Sequence, residues 1–408
     1  MINSLDQPQF PAPPPPSSSS GIVNNPQPLL DRRFDEEKLL IYRELYYDGF
    51  SSIIAARDLT TGGGVAVKKI DFRFMKTIKG AFTLHELKKR FCNKLYENTH
   101  KLSTLSSNTC ILKLIEFIVE PKRLIIMTEM CIFGDFFNWI LQQHHLYVKD
   151  ICLMLQYLFQ AVYYLHSHNC IHGNLLPTHV LFQTLSPQSV TLMLDMSIKS
   201  EIFYLTGQPS TIIYGWAPEF IRTILQSVDI MPTDSFSNNM SIDYQMNKNK
   251  EKLLQKTRMM DIWSIGVIAH IAFTGRPPYQ AEQLHELLKL IDINQGKLNH
   301  PLIKSFHKTI IDKLIQLLQI DPLKRYCSFI ESNNCNTSTT TTTNNNSNND
   351  FHWWCNHDEI KNDERNLLHI IEYDMMSTCR RYRFHGRQLF EKIFLAKEQK
   401  NKNKTKNL

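Results

Sequence analysis

The sequence predicts an α+β fold in which short strands come first and helices follow. From about residue 39 the chain carries short apolar runs that are typical of strands, at residues 65–68, 111–114 and 124–128. Residues 151–168 then place apolar side chains at the spacing of a helix. At 408 residues the chain is long enough for one large two-lobed domain or for two or three small ones.

Composition narrows the class of protein. A hydrophobic content of 42% supports a sizeable core. The apolar run at residues 262–273 contains His270 and is shorter than the roughly 18 residues that span a bilayer, so we predict a buried helix and no membrane span. The N-terminus has no basic segment followed by an apolar run, so no secretory signal is predicted. Nine cysteines without a Cys-x-x-Cys pair are expected to be reduced thiols of a cytoplasmic protein, with the nucleus as an additional location.

The positive charge is concentrated at the C-terminus. The whole chain has a net charge of +7, and residues 379–408 hold ten Lys or Arg against two Glu, which is +8. A basic segment can bind nucleic acid, acidic lipid or an acidic partner, and the alternative is a solvated chain end. We expect the solvated end, so nucleic acid is not a predicted partner. Since residues 359–400 also have helical spacing, residues 357–408 are predicted to form a helical basic tail outside the core.

Three polar segments are predicted to lie outside regular structure. Residues 8–28 are rich in Pro and Ser and cannot bury enough apolar surface to fold, so residues 1–38 are interpreted as a disordered leader. Residues 333–350 are almost entirely Asn, Thr and Ser, which is typical of a low-complexity loop. Residues 227–256 are polar as well and are interpreted as a second inserted loop.

The interpretation of function depends mainly on residues 171–182. They read Ile-His-Gly-Asn-Leu-Leu-Pro-Thr-His-Val-Leu-Phe. This stretch resembles the catalytic loop of eukaryotic protein kinases, where the family has His-Arg-Asp-Leu-Lys-Pro-x-Asn before an apolar strand. The frame is present, because His172, Pro177 and the apolar run after position 179 fall in place.

The reactive positions of that loop are substituted. Gly173 replaces the Arg, Asn174 the catalytic Asp, Leu176 the Lys and His179 the metal-binding Asn. An amide can hold a substrate hydroxyl by a hydrogen bond but cannot accept its proton. Proton acceptance by a general base typically raises the rate by roughly 10²–10⁴. Leucine removes a cation that would meet the transferred phosphoryl group. The histidine offers nitrogen where magnesium takes oxygen.

Other motifs of the family occur in its order between residues 39 and 356. They are Lys68 in Val-Ala-Val-Lys, Glu86 as the helical partner of that lysine, Asp195 at the metal-binding position, Glu219 in Ala-Pro-Glu, Asp261 at the start of the central helix, and Arg325 in Asp-Pro-Leu-Lys-Arg. The resemblance implies a two-lobed protein kinase-like fold, with a small antiparallel-sheet lobe at residues 39–129 and a large helical lobe at residues 130–356. It also implies a buried ion pair between Glu219 and Arg325.

The nucleotide site that the resemblance implies is degenerate. Threading back from Lys68 places the three loop glycines at Tyr46, Asp48 and Ser51. Glycines there let backbone N–H groups approach phosphates closely, so their loss predicts a weakened grip on nucleotide. Phe50 keeps the aromatic residue at the loop tip. Glu129 and Cys131 fall at the hinge, where adenine would bond to the backbone.

These substitutions predict a pseudokinase, most similar to STRAD-like kinase adaptors. Those adaptors also have a degenerate glycine loop, no catalytic Asp and a His at the metal-binding Asn position. The sequence departs from them by keeping Lys68 and Asp195. The resemblance implies a partner protein kinase, a scaffold protein as a further candidate partner, and ATP as the candidate cofactor with a weak or absent magnesium site. The alternative is an atypical but active serine/threonine protein kinase, which Lys68, Glu86 and Asp195 keep open.

Overall fold

The structure is a computed structural model that gives the fold of both predicted lobes. It describes residues 29–30, 34–47, 51–72, 92, 110–168, 170–194, 215–229, 250–281, 283–325, 363 and 365–382.

The small lobe is built on one six-stranded sheet. Its bounds are β1 Leu29–Leu30, β2 Leu39–Tyr47, β3 Ser51–Asp58, β4 Gly64–Asp71, β5 Leu114–Val119 and β6 Arg123–Glu129. The strands lie in the order β1-β5-β6-β4-β3-β2, and all neighbours are antiparallel except β1 and β5. Alternate residues of β3 and β4, among them Ile54 and Val67, build an apolar cluster on one face of this sheet. The opposite face carries the side chains that alternate with them.

The prediction that residues 1–38 are disordered is wrong for their last part. Leu29–Leu30 form β1 and extend the sheet beside β5. Phe34 is buried in the small-lobe cluster, and its N–H donates to Glu120 Oε1 at 2.9 Å. The average composition of the segment does not reveal single apolar residues such as Phe34. The small-lobe sheet can bury such a residue although the segment forms no core of its own.

An ion-pair network fixes the same segment to the sheet. The carboxylate of Glu36 lies 3.1 Å from Lys69 Nζ on β4 and 2.8 Å from Arg123 Nη1 on β6. A short 3₁₀ turn at Glu36–Lys38 therefore leads directly into β2. The folded chain begins before the predicted boundary at residue 39.

The strand predicted at residues 111–114 is also displaced. The strand of this region is β5, which begins at Leu114, whereas Ile111 makes an isolated bridge to Leu192 of the large lobe. The sequence from residue 110 to 119 is apolar almost throughout, so its pattern could not locate the start of the strand. The strand predicted at residues 124–128 is confirmed as the centre of β6.

The large lobe consists of helices around one hydrophobic core. Its elements are α1 Phe136–Leu141, α2 Val148–Ser167, β7 Val180–Phe182, β8 Val190–Leu192, α3 Pro218–Asp229, α4 Lys250–Thr274, α5 Leu284–Asn294 and α6 Lys308–Leu317. The helix predicted at residues 151–168 is α2. The apolar run at residues 262–273 lies in α4 and is buried nearly all round, which explains why it reads as uniformly apolar. In the described residues no helix is long and apolar enough to cross a membrane.

The inserted loop predicted at residues 227–256 overlaps helices at both of its ends. Helix α3 continues to Asp229 and α4 already begins at Lys250. Polar residues at the ends of helices look like loop in a composition window, which moved both predicted boundaries. The second predicted loop, residues 333–350, lies outside the described residues.

The predicted tail outside the core is wrong for residues 365–382. Residues 368–382 form a helix, α7, whose side chains Ile371, Met375 and Tyr382 are buried in the large-lobe core. The N–H of Leu367 donates to the carbonyl of Leu146 at 2.8 Å, and Arg276 pairs with Asp374. Helical spacing showed an apolar face but not the surface that would cover it. Residues 383–408 lie outside the described residues.

Candidate functional site

The loop at residues 171–182 is held by a buried carboxylate of α4. Asp261 is fully buried, and it accepts hydrogen bonds from the backbone N–H groups of His172 at 2.9 Å and Gly173 at 2.8 Å. His166 Nε2 lies 2.8 Å from the same carboxylate. Burial alone would raise the pKa of Asp261, but the hydrogen bond from His166 and the nearby histidines outweigh it and keep the pKa below its usual value. The carboxylate therefore stays charged and fixes the loop backbone.

His172 connects the loop to the strand that follows it. Its Nε2 lies 3.0 Å from the carbonyl oxygen of Met193, and its ring stacks on His179 with 5.4 Å between centroids. Met193 is two residues before Asp195, the predicted metal ligand, which lies outside the described residues.

The side chain at the catalytic-base position is engaged inside the protein. Asn174 is only 9% exposed, and its Oδ1 accepts a hydrogen bond from Trp216 Nε1–H at 3.2 Å. Trp216 directly precedes Ala217-Pro218-Glu219. The sequence analysis did not single out Trp216. The signal that could have found it is general, because a buried tryptophan needs an acceptor for its N–H.

The Lys position of the loop has become part of the core. Leu176 has no exposed surface and belongs to the large-lobe hydrophobic cluster. A Cβ at Gly215 would come within 3.1 Å of Leu176 Cδ2, so the chain before Trp216 packs tightly on this leucine. A side chain at this position points into apolar surroundings and not toward a reacting group.

The loop does not fit a magnesium ion. His179 is 5% exposed, and its Nδ1 lies 2.8 Å from the carbonyl oxygen of Asn174. Magnesium takes oxygen ligands in octahedral geometry, whereas this loop offers an imidazole that is already paired. Within the part of the chain that the structure describes, no group of three or more His, Cys, Asp or Glu side chains could hold a metal ion.

The small-lobe residues of the predicted nucleotide site are only partly described. Lys68 lies on β4, where its register partners are Ile53 on β3 and Ile126 on β6. Its predicted partner Glu86 and the loop-tip residue Phe50 lie outside the described residues.

The hinge connects β6 to the large lobe. The Glu129 carboxylate accepts a hydrogen bond from the N–H of Lys113 at 3.0 Å, and the carbonyl of Cys131 accepts one from Gly134 N–H at 3.1 Å. Burial, with a smaller contribution from the charge of Glu129, raises the pKa of the Cys131 thiol, so this thiol stays neutral. Both predicted hinge residues are therefore at the junction of the lobes.

The structure brings Glu219 and Arg325 together. Arg325 Nη1 and Nη2 donate to the two carboxylate oxygens of Glu219 at 2.6 and 2.8 Å. The guanidinium also donates to the carbonyls of Met259 at 3.0 Å and Gln319 at 2.7 Å, and it lies 5.0 Å from the ring centre of Trp263. This pair joins α3 to α4 and to the turn after α6.

Comparison with known proteins relates this geometry to a family. The model of the protein kinase domain matches residues 48–226. Serine/threonine-protein kinase 33 of Mus musculus is 24% identical over 290 residues, which are 71% of this chain and 52% of the mouse protein. Calcium/calmodulin-dependent protein kinase type I of Schizosaccharomyces pombe is 24% identical over 215 residues, 53% of this chain and 56% of the yeast protein. The chain thus spans about half the length of these two relatives.

The solved structure of Rad53 1–466 in complex with AMP-PNP is similar with a TM-score of 0.49 and 18% identity, over 71% of this chain and 62% of that one. The family match, together with an antiparallel small-lobe sheet and a helical large lobe, confirms the predicted two-lobed kinase-like fold. Residues 48–226 therefore resemble a protein kinase domain.

Proposed function

We propose that this chain is a catalytically impaired member of the protein kinase superfamily that serves as an adaptor or allosteric activator of a partner protein kinase. The observation that carries the proposal is the hydrogen bond from Trp216 Nε1–H to Asn174 Oδ1. This bond engages the side chain at the catalytic-base position within the protein.

Asn174 cannot serve as the base for two reasons. A neutral amide has no pKa near neutrality at which it could accept the proton of a substrate hydroxyl. In addition, the Trp216 indole lies on its oxygen, so a hydroxyl would have to displace a buried hydrogen bond. A kinase loop needs this group open to the substrate.

Leu176 and His179 extend the same argument. Phosphoryl transfer in this superfamily depends on positioned cations and metal ions around the phosphates. Leu176 places a fully buried alkyl group where the cation belongs, and His179 is paired with the backbone of Asn174. The three changes remove proton acceptance, charge neutralisation and one metal ligand from a single loop.

The retained parts of the fold support an adaptor. Asp261 still fixes the loop, and the Glu219–Arg325 pair still ties α3 to α4. A rigid large lobe can present a docking surface without transferring phosphate. Lys68 remains on β4 and supports weak ATP binding, with little dependence on magnesium, between the two lobes. A ligand that binds only this folded form stabilises it by about 2.7 kcal/mol at a hundred times Kd.

Affinity purification of the tagged full chain tests the adaptor role. We expect a protein kinase among the co-purifying proteins, with a scaffold protein as a further component. Adding the purified chain to that kinase should raise its activity on its own substrate, and ATP should raise both the melting temperature of the chain and its affinity for the kinase. Lys68→Met is the matched variant, because it should weaken the ATP effects only. Co-purified kinases whose activity does not respond to the chain would contradict the proposal.

The second candidate is an active serine/threonine protein kinase. One relative is named a serine/threonine-protein kinase and another a calcium/calmodulin-dependent protein kinase. Lys68 lies on β4. This candidate requires Trp216 to leave Asn174 and a different group to accept the proton. Direct measurement of phosphotransfer separates the two candidates.

A further inference from the structure

Tyr46 lies in line with Lys68 across the small-lobe sheet. Tyr46 on β2 is the register partner of Ile53 on β3, and Ile53 is the partner of Lys68 on β4. Directly opposed residues of an antiparallel ladder project from the same face of a sheet. Since neighbouring strands are about 4.8 Å apart, the backbones of Tyr46 and Lys68 are separated by about 10 Å. We call the face that carries these three side chains the lysine face.

The other face of the same strands is covered differently. Ile54 and Val67, which are also register partners, lie in the apolar cluster that includes Phe34. Tyr47 is paired with Ser52 and therefore projects from that second face, where it is 56% exposed. Tyr46 is half-buried, in contrast to its neighbour Tyr47. Two adjacent tyrosines thus occupy opposite faces of β2, and only one shares a face with the lysine.

We infer that Tyr46 is a selectivity residue of the cleft, which admits the nucleoside part of an adenine nucleotide and limits contact between its phosphates and Lys68. A glycine at this position would let the backbone approach the phosphates, whereas a phenol ring fills that space. The face of an aromatic ring also carries partial negative charge, which disfavours an anionic phosphate beside it. The inference rests on the proposed nucleotide binding and names its selectivity.

Binding of adenosine and ATP to three forms of the full chain tests the inference. Isothermal titration should give Kd values for the two ligands that differ by only a few-fold in the parent. Tyr46→Gly should tighten ATP binding by about tenfold or more, the worth of one charge-assisted hydrogen bond to phosphate, and leave adenosine unchanged. Tyr47→Gly is the matched control on the opposite face and should change neither ligand.

Two further variants make the outcome decisive. Tyr46→Phe keeps the ring and should bind both ligands as the parent does. Lys68→Met, combined with Tyr46→Gly, should remove the gain for ATP, because the lysine is the group that the phosphates reach. Weaker binding of both ligands by Tyr46→Gly would show that the ring supports the base, and an unchanged ATP affinity would show that it obstructs nothing. Either result overturns the inference.

A different measurement tests the proposed adaptor function. If none of the variants binds adenosine or ATP, the selectivity role of Tyr46 is overturned, while activation of a co-purified kinase is unaffected. If the parent transfers phosphate, the adaptor proposal fails, while the ratio of the ATP and adenosine Kd values still reports on Tyr46.

Discussion

Two groups of residues in the large lobe differ in how much of the kinase motif they retain. The scaffold group consists of Asp261 with His166, and of Glu219 with Arg325, and it contains charged side chains with full sets of partners. The loop group consists of Asn174, Leu176 and His179, and it contains neutral side chains that bond or pack within the loop and onto Trp216. The first group matches the kinase motif and the second departs from it at each position.

The difference follows from what each group must do. A buried carboxylate that accepts several hydrogen bonds cannot be replaced without leaving donors unsatisfied, so the scaffold depends on its chemistry. A reactive side chain must stay open to substrate and adds little to folding. Under the proposed loss of catalysis, the loop can exchange it for a group that packs better. Substitutions in the scaffold group should therefore lower stability, and restoring single motif residues in the loop group should not restore phosphotransfer.

The largest effect is expected for Asp261→Ala. It would leave the N–H groups of His172 and Gly173 and the ring of His166 without their acceptor, each at about 1–3 kcal/mol. We expect a loss of about 4 kcal/mol or more in the free energy of unfolding, measured by urea denaturation. Asp261→Asn retains one oxygen and should lose less. A loss below about 1 kcal/mol for Asp261→Ala would remove this residue from the scaffold group.

Arg325→Ala should cost nearly as much. Its side chain is fully buried, whereas the Glu219 side chain is 23% exposed. Removing Arg325 leaves the Glu219 carboxylate and the carbonyls of Met259 and Gln319 without their donor, at about 1–3 kcal/mol for each buried group. Arg222→Ala is the control, since Arg222 pairs with Asp292 at the surface, where an ion pair contributes about 0–1 kcal/mol. Thermal unfolding of both variants beside the parent measures the contrast. An unchanged melting temperature for Arg325→Ala would contradict the placement.

Leu176→Lys tests the loop group by restoring the cation of the motif. The new ammonium would enter the fully buried site of the leucine, where burial disfavours the charged form by several pKa units. We expect a loss of about 3 kcal/mol in unfolding free energy and no gain in phosphotransfer. Leu176→Met conserves the volume and should cost less than about 1.5 kcal/mol. A stable Leu176→Lys protein would mean that this position faces the cleft after all.

Acid unfolding should distinguish charged Asp261 from neutral His270 on the same helix by the pH range in which each loses its contribution to stability. Burial lowers the pKa of His270 to about 4 from 6.5, so the unfolded chain takes up its proton first as the pH falls. The contribution of uncharged His270 to the free energy of unfolding is fully present above pH 6.5. It falls by about 3 kcal/mol as the pH decreases from 6.5 to about 4. Asp261, with its lowered pKa, contributes fully above 3.8 and loses its contribution below that pH.

The matched variant for this prediction is His270→Gln. Its unfolding free energy should fall less than that of the parent between pH 7 and pH 4.5, because the titrating group is gone. His300, whose ring lies 6.0 Å from that of His270, remains in both proteins and cancels in the comparison. Equal pH slopes would show that the His270 site does not exclude the proton.

Asp261, Glu219 and Arg325 could be predicted from the sequence, because they lie in motifs that follow a fixed order. His166 lies in none of these motifs and was not singled out. Glu219 and Arg325 are 106 residues apart, yet the two motifs were enough to pair them. The substituted loop positions could also be located by their order. Trp216 could not be assigned to Asn174, since no motif specifies where a bulky side chain turns.

The remaining errors have a common physical origin. Phe34 and the buried face of α7 are covered by surfaces that other parts of the chain provide, the small-lobe sheet and the end of α4. Local composition and periodicity report that a segment has apolar residues but not which surface receives them. For that reason the sequence predicted a folded region that begins too late and ends too early.

The most direct test of the central claim is phosphotransfer by the purified chain itself. The chain is incubated with radiolabelled ATP, magnesium or manganese and a generic protein substrate, beside Lys68→Met and Asn174→Asp. We predict labelling no higher than that of Lys68→Met for the parent, and no rescue by Asn174→Asp, because Leu176 and His179 still occupy the cation and metal positions. Robust labelling by the parent that Lys68→Met abolishes would contradict the account and establish an active kinase.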